Sequence, residues 1–280
     1  MARRRHHPYM KRMSSDAAPP LPSLFLPHGA GPCFFMDWNP PHAWNRMAAY
    51  LKGLAATLPA RPRAILAVSA HWIEPAFTAA SGARPPLIFD YHGFPPHTYA
   101  LTYPAPGDPA LAARTVELLR AAGLPAGDDP HRGFDHGVFV PLKLVFPDAD
   151  IPVVPLSLAA GLDPATHLAA GRALAPLRDE GVLILGSGMS FHNMRGYGDP
   201  RFGPPSDAFD AWLTDAVAEP AGRDARLAAW AEAPGGRQSH PRGQEEHLIP
   251  LMVAAGAGGP GRRDFSDRVL EVSLSAFRFG

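Results

Sequence analysis

The chain has 280 residues, enough for one large domain with a full core. Hydrophobic residues make up 46% and charged residues 19%, which is a globular composition. Lys plus Arg and Asp plus Glu stand at 26 each, so there is no global field to hold nucleic acid or an anionic membrane, and neither is expected as a partner. No apolar run is long enough to span a bilayer. The single cysteine, Cys33, excludes an intrachain disulfide and a thiolate metal cluster, and fits a reducing, cytoplasmic location. Residues 1–20 carry Arg3, Arg4, Arg5, His6 and His7 without the apolar segment of a secretory signal. They read as a disordered tail ahead of one domain over residues 21–280. Nothing in the pattern specifies an oligomeric state.

Leu24-Phe25-Leu26 reads as a short buried strand that ends at Pro27-His28-Gly29. Trp44, Met47, Leu51, Leu54 and Leu58 then recur at helical spacing. Residues 64–68, Ala-Ile-Leu-Ala-Val, form the clearest strand and lead into Ser69-Ala70-His71-Trp72. Residues 77–80 suggest another. The stretch 81–107 is rich in proline and aromatics, and a loop this long in a compact domain is expected to be functional. Its aromatic residues 89–103 read equally well as a lid over a site and as core.

Asp108-Pro109 caps a helix to about residue 122, because Asp accepts orphan amide bonds and Pro suits the first turn. Phe134-Asp135-His136-Gly137 opens an apolar segment to residue 146. Residues 153–156 read as a strand, and Asp163-Pro164 starts a second capped helix, to about residue 178. The buried strand at 182–185 gives way to Gly186-Ser187-Gly188, then Phe191-His192-Asn193. Helices are expected near 207–218, 224–232 and 245–255, and a last strand at 269–272. Strands alternating with helices predict an α/β fold: a single-domain α/β sandwich around a central, largely parallel or mixed sheet.

In such sheets the site lies at the carboxyl ends of the strands. Of the 13 histidines, His28, His71 and His192 each fall just past an expected strand end. Imidazole is both the commonest metal ligand near neutral pH and the commonest general base. His28 and His71 are read as ligands; for His192 ligand and base are both open. His136 reads as substrate-facing or structural. His240 and His247 flank Glu245 and Glu246, a run that on its own reads as a solvated helix start. An N/O donor set of this kind suits Zn(II), Fe(II) or Mn(II).

Five segments follow one another in a recognisable order. They are Leu26-Pro27-His28-Gly29-Ala30-Gly31-Pro32, Ser69-Ala70-His71-Trp72, Gly133-Phe134-Asp135-His136-Gly137, Ser190-Phe191-His192-Asn193 and Glu246-His247-Leu248-Ile249-Pro250-Leu251. From about residue 22 onward the chain resembles the DODA-type class III extradiol dioxygenases of the LigB superfamily. The resemblance implies metal binding at His28, His71 and His247, with His192 or Glu246 as additional or alternative ligands. It implies catalytic roles for His192 and for His136 near the substrate. It further implies a catechol and O₂ as substrates, Fe(II) for activity with Zn(II) able to occupy the site, and a muconic semialdehyde-type product, 4,5-DOPA being one such substrate. The alternatives carried forward are a zinc-dependent hydrolase and a non-catalytic metal-binding member of the same superfamily.

Overall fold

The computed structural model describes residues 19–280, so the tail expected at 1–20 falls outside the described residues except for its last two positions. Eight strands form one mixed sheet: β1 (Ser23–Pro27), β2 (Ala64–Glu74), β3 (Phe77–Ala80), β4 (Ala126–Asp129), β5 (Val153–Ala159), β6 (Val182–Gly188), β7 (Gly261–Val269) and β8 (Val272–Phe279). Their order across the sheet is β4-β3-β5-β2-β6-β1-β8-β7. The central run β5-β2-β6-β1 is parallel. Antiparallel pairing begins at β3 on one side and at β8 on the other.

Side chains alternate across the sheet with a period of two. Leu24, Leu26, Ile65, Ala67, Leu183 and Leu185 pack on one face, under the helices Asn45–Leu54 and His136–Val145. Phe25, Leu66, Val68, Val182 and Ile184 point to the other, under the helices Pro109–Ala121, Pro164–Leu174, Gly203–Ala218 and Ile249–Ala257. Covering both faces explains why the central strands read as unbroken apolar runs. Among the described residues, no helix is long and apolar enough to cross a membrane.

The expected caps form. Asp108 accepts from the Leu111 amide at 2.9 Å and Asp163 from the Thr166 amide at 2.8 Å. Asp135 caps the helix His136–Val145 through the Val138 amide at 3.2 Å. Several boundaries differ from the sequence reading. β2 runs on to Glu74, so His71 lies inside the strand, where the pairing with β5 shifts register between Val68 and Ile73. Gly186-Ser187-Gly188 is the end of β6 rather than a turn. The helix expected to 178 stops at Leu174 and restarts at Pro176, whose missing N–H cannot continue the ladder. The helix expected from 245 begins at Ile249.

The strand expected at 269–272 is in fact the turn of a hairpin, with Leu270 and Glu271 at φ 46° and 74° between β7 and β8. β7 escaped the sequence reading because its segment Gly-Arg-Arg-Asp-Phe-Ser-Asp-Arg-Val is an edge strand with little apolar alternation.

The end of β6 carries no side chain where the chain segment 247–250 crosses it. A Cβ on Gly186 would strike the Pro250 carbonyl oxygen, and one on Gly188 would strike the carbonyl oxygen of His247. That close approach is fixed by the Met189 amide, which donates to the His247 carbonyl at 2.9 Å. Gly188→Ala should therefore lower stability by about 1–3 kcal/mol, the usual cost of overpacking, read as a fall in the denaturant midpoint. An unchanged midpoint would mean that the segment yields freely.

Candidate active site

The parallel strands deliver the site residues to one end of the sheet. His28 follows β1, and its backbone N–H donates to the Gly188 carbonyl at 3.1 Å, which ties the loop to β6. The chain then turns through Gly29 and Gly31, both at positive φ (82° and 52°). His71 projects from β2. His192 follows β6, and its N–H donates to the Ser239 carbonyl at 3.0 Å. His247 lies in the turn that precedes the helix Ile249–Ala257. His136 is the first residue of the helix capped by Asp135.

Three ring nitrogens converge. His71 Nε2 lies 3.3 Å from His28 Nε2 and 3.3 Å from His247 Nε2. The opposite ring nitrogens are engaged elsewhere. His28 Nδ1 donates to the Gly29 carbonyl at 2.9 Å, and His247 Nδ1 donates to the Glu246 carboxylate at 2.8 Å. Each of these bonds places the proton on Nδ1 and leaves an Nε2 lone pair facing the cluster. His136 Nδ1 and its backbone N–H both donate to Asp90 Oδ1, at 2.8 and 2.9 Å. The His136 ring sits 3.9 Å from that of His71, centroid to centroid. His192 stacks on His247 with centroids 3.3 Å apart and planes 12° from parallel.

The histidines thus form one continuous cluster. Donor atoms of His28, His71 and His136 lie within 4.8 Å of one another, as do those of His192, Glu246 and His247. Across these two sets, His28, His71 and His247 are linked by two Nε2–Nε2 contacts, both made by His71. Two nitrogens 3.3 Å apart have the spacing of ligands that share one ion at about 2.0–2.2 Å from each. Glu246 lies behind His247, on its Nδ1 side.

Burial keeps four of these histidines uncharged near neutral pH. It pushes His28 and His247 well below the ordinary imidazole range, and neighbouring histidines push them further. His71 is lowered to about 3 by burial and by His136, against the pull of Asp90. Burial, then His136, lowers His192 to about 4. Burial alone would raise the Asp90 carboxyl, but its bonds and charge contacts with His136 outweigh this and hold it at about 2. Neutral imidazoles near neutral pH are the form that binds a metal or takes up a proton.

A cavity of about 310 Å³ opens over the cluster. Trp38, Trp44, Phe94, Met194 and Leu270 help to line it. The aromatic segment divides between its two expected roles. Phe94 faces the cavity, whereas Phe89 and Tyr91 pack against Phe139 in the core. The sequence reading missed Asp90, which anchors His136; its only signal was a lone carboxylate between Phe89 and Tyr91. Other histidines serve the fold. His240 is buried against Phe209 and Trp230 and donates through Nε2 to the Ser190 carbonyl at 3.0 Å. His167 links the Asp163 carbonyl to the Ala159 amide. His42, His92, His97 and His131 are exposed.

Known proteins resemble this chain over most of its length. Dioxygenase tasH of Hapsidospora irregularis is 40% identical over 286 residues, covering 92% of this chain and 85% of its own length. A Portulaca grandiflora protein named 4,5-DOPA dioxygenase extradiol is 40% identical over 240 residues, 85% of this chain and 86% of its own. The crystal structure of an uncharacterized Escherichia coli K12 protein superposes with a TM-score of 0.74 at 31% identity, over 93% of this chain and 100% of that one. The family described as the catalytic LigB subunit of aromatic ring-opening dioxygenase matches residues 23–274. That span takes in seven strands, the start of β8 and every residue of the histidine cluster, and the chain belongs to this family of oxidoreductases.

Proposed function

We propose that the protein is an extradiol dioxygenase. It cleaves a catechol ring beside its two hydroxyls, consumes O₂ and releases a muconic semialdehyde-type product. The observation that carries this reading is the convergence of three Nε2 lone pairs from His28, His71 and His247 at the floor of an apolar cavity. These three residues would hold a non-haem Fe(II) ion and leave positions open for substrate. Ferrous iron bound there supplies the electron transfer that lets triplet oxygen react with a singlet catechol. Zn(II) suits the same donors but has no redox chemistry.

The remaining steps belong to the chain. Gly29 and Glu246 hold His28 and His247 in the tautomer that presents Nε2. His192 is the base. It is neutral near neutral pH, and among the described residues its buried Nδ1 makes no hydrogen bond, with the Glu246 carboxylate 3.8 Å away. It takes a proton from a catechol hydroxyl as the diol binds, and returns one during ring opening. His136, with Nδ1–H tied to Asp90, is held by that bond beside the substrate. Phe94 and Trp38 wall the cavity that takes the ring and shield it from water. A cytoplasmic setting, where Cys33 stays a buried thiol, fits this chemistry.

Replacement of His28, His71 or His247 by Ala should each abolish stoichiometric iron binding, measured by metal analysis after anaerobic reconstitution. His192→Ala should keep at least part of its iron and lose about 10²–10⁴ in turnover, the usual worth of general acid–base catalysis. A His192→Ala protein that holds no iron would move that residue into the ligand set.

The reconstituted Fe(II) protein should take up one O₂ per catechol and give a yellow ring-opened product, followed together by oxygen electrode and absorbance. A monophenol should not turn over, because only adjacent oxygens chelate one ion. The Zn(II) form should take up no oxygen. If the Zn(II) form hydrolysed esters and the Fe(II) form ignored every catechol, metal-assisted hydrolysis would replace this reading.

A further inference from the structure

The cavity above the histidines is larger than a bare catechol needs, and its walls specify what the ring can carry. Its volume is about 310 Å³, and among the described residues no Asp, Glu, Lys or Arg lines it. The outer walls are Trp38, Phe94, Met194 and Leu270, with Met194 62% exposed at the rim. Two further polar groups border it. The Tyr197 hydroxyl is already committed to the Phe191 carbonyl at 2.9 Å. The Trp44 indole N–H is a neutral donor, buried without a hydrogen-bond partner among the described residues.

Charged side chains bonded around the histidines are already engaged. Asp90 is engaged by His136, and Glu246 by His247. Arg132 is bound to Asp135 at 2.7 Å. Charged groups gather instead in a separate groove, lined by Arg195, Arg237 and Glu246, that shares only His192 and Met194 with the cavity. Arg237 there is paired with Glu245 at 2.7 Å.

We infer that the substrate is a catechol bearing an uncharged, apolar substituent, an alkyl or aryl group seated between Trp38, Phe94, Met194 and Leu270. This inference rests on the dioxygenase reading of the same site. A carboxylate or ammonium close to the ring would lose its hydration in this chamber and find no ion partner. An alkyl or aryl group gains from the same burial. DOPA, which appears in the names of several relatives, carries both charges on a short side chain; protocatechuate carries a carboxylate on the ring itself.

The test compares 4-ethylcatechol with L-DOPA and protocatechuate in two assays. Oxygen uptake by the Fe(II) protein gives kcat/KM. Calorimetric titration of the Zn(II) protein, which binds without turnover, gives Kd. The inference expects 4-ethylcatechol to lead by about tenfold or more in both assays, with the difference in kcat/KM residing mainly in KM. Met194→Arg should narrow that lead for protocatechuate by placing a cation at the rim. Equal or better binding and turnover of L-DOPA or protocatechuate by the natural chain would overturn the inference. If that preference then vanished in Arg195→Ala, the outer groove would be the determinant. Absence of oxygen uptake with every catechol would sink the dioxygenase reading separately, while the calorimetric order would still decide what the chamber prefers.

Discussion

The site depends on one backbone contact between segments far apart in the chain. Gly186 and Gly188 leave the end of β6 bare, and residues 247–250 lie directly against it. The Met189 amide locks the contact through the His247 carbonyl. The same strand end receives the His28 amide at Gly188. β6 therefore sets both His28 and His247, while its neighbour β2 brings His71 between them. A side chain at either glycine would hold the 247–250 segment away from the sheet, and the three ring nitrogens would lose their common focus.

Four of the five clustered histidines, His28, His71, His192 and His247, are held neutral chiefly by burial. His28 and His247 are almost wholly removed from solvent, and neighbouring imidazoles disfavour protonation further. Two carboxylates manage the arrangement from outside. Glu246 holds the proton of His247 on Nδ1, and Asp90 does the same for His136. Asp135 works one layer deeper. It accepts from Ser69 Oγ at 2.7 Å and from Arg132 at 2.7 Å while it caps the helix that presents His136. Strand β2 and that helix are thereby joined beside the site, so fold stability and site geometry rest on shared bonds.

Much of this was legible in the residues. The apolar runs at 64–68, 153–156 and 182–185 are strands because both faces of the sheet are covered, and Asp108 and Asp163 cap helices as their proline neighbours suggest. The placement of His28 and His192 after strands follows from the same logic. His247 was invisible to it. It arrives on a turn whose sequence resembles a solvated helix start, and only motif resemblance separated it from His240, which belongs to the core. Asp90 was missed because a carboxylate in a long loop carries no periodic signal; its role comes from a contact 46 residues away in sequence. The hairpin of β7 and β8 was misread because charged residues dominate its edge strand and the apolar residues Val269 and Val272 flank the turn.

The central claim is that His28, His71 and His247 share one iron through Nε2. Crystals of the Fe(II) protein grown without oxygen, with diffraction recorded on both sides of the iron absorption edge, test it directly. The account predicts a single anomalous peak at about 2.0–2.2 Å from all three Nε2 atoms, with Glu246 still bonded to His247 Nδ1. A peak ligated instead by His192 and Glu246, with the His247 Nε2 turned away, would contradict it.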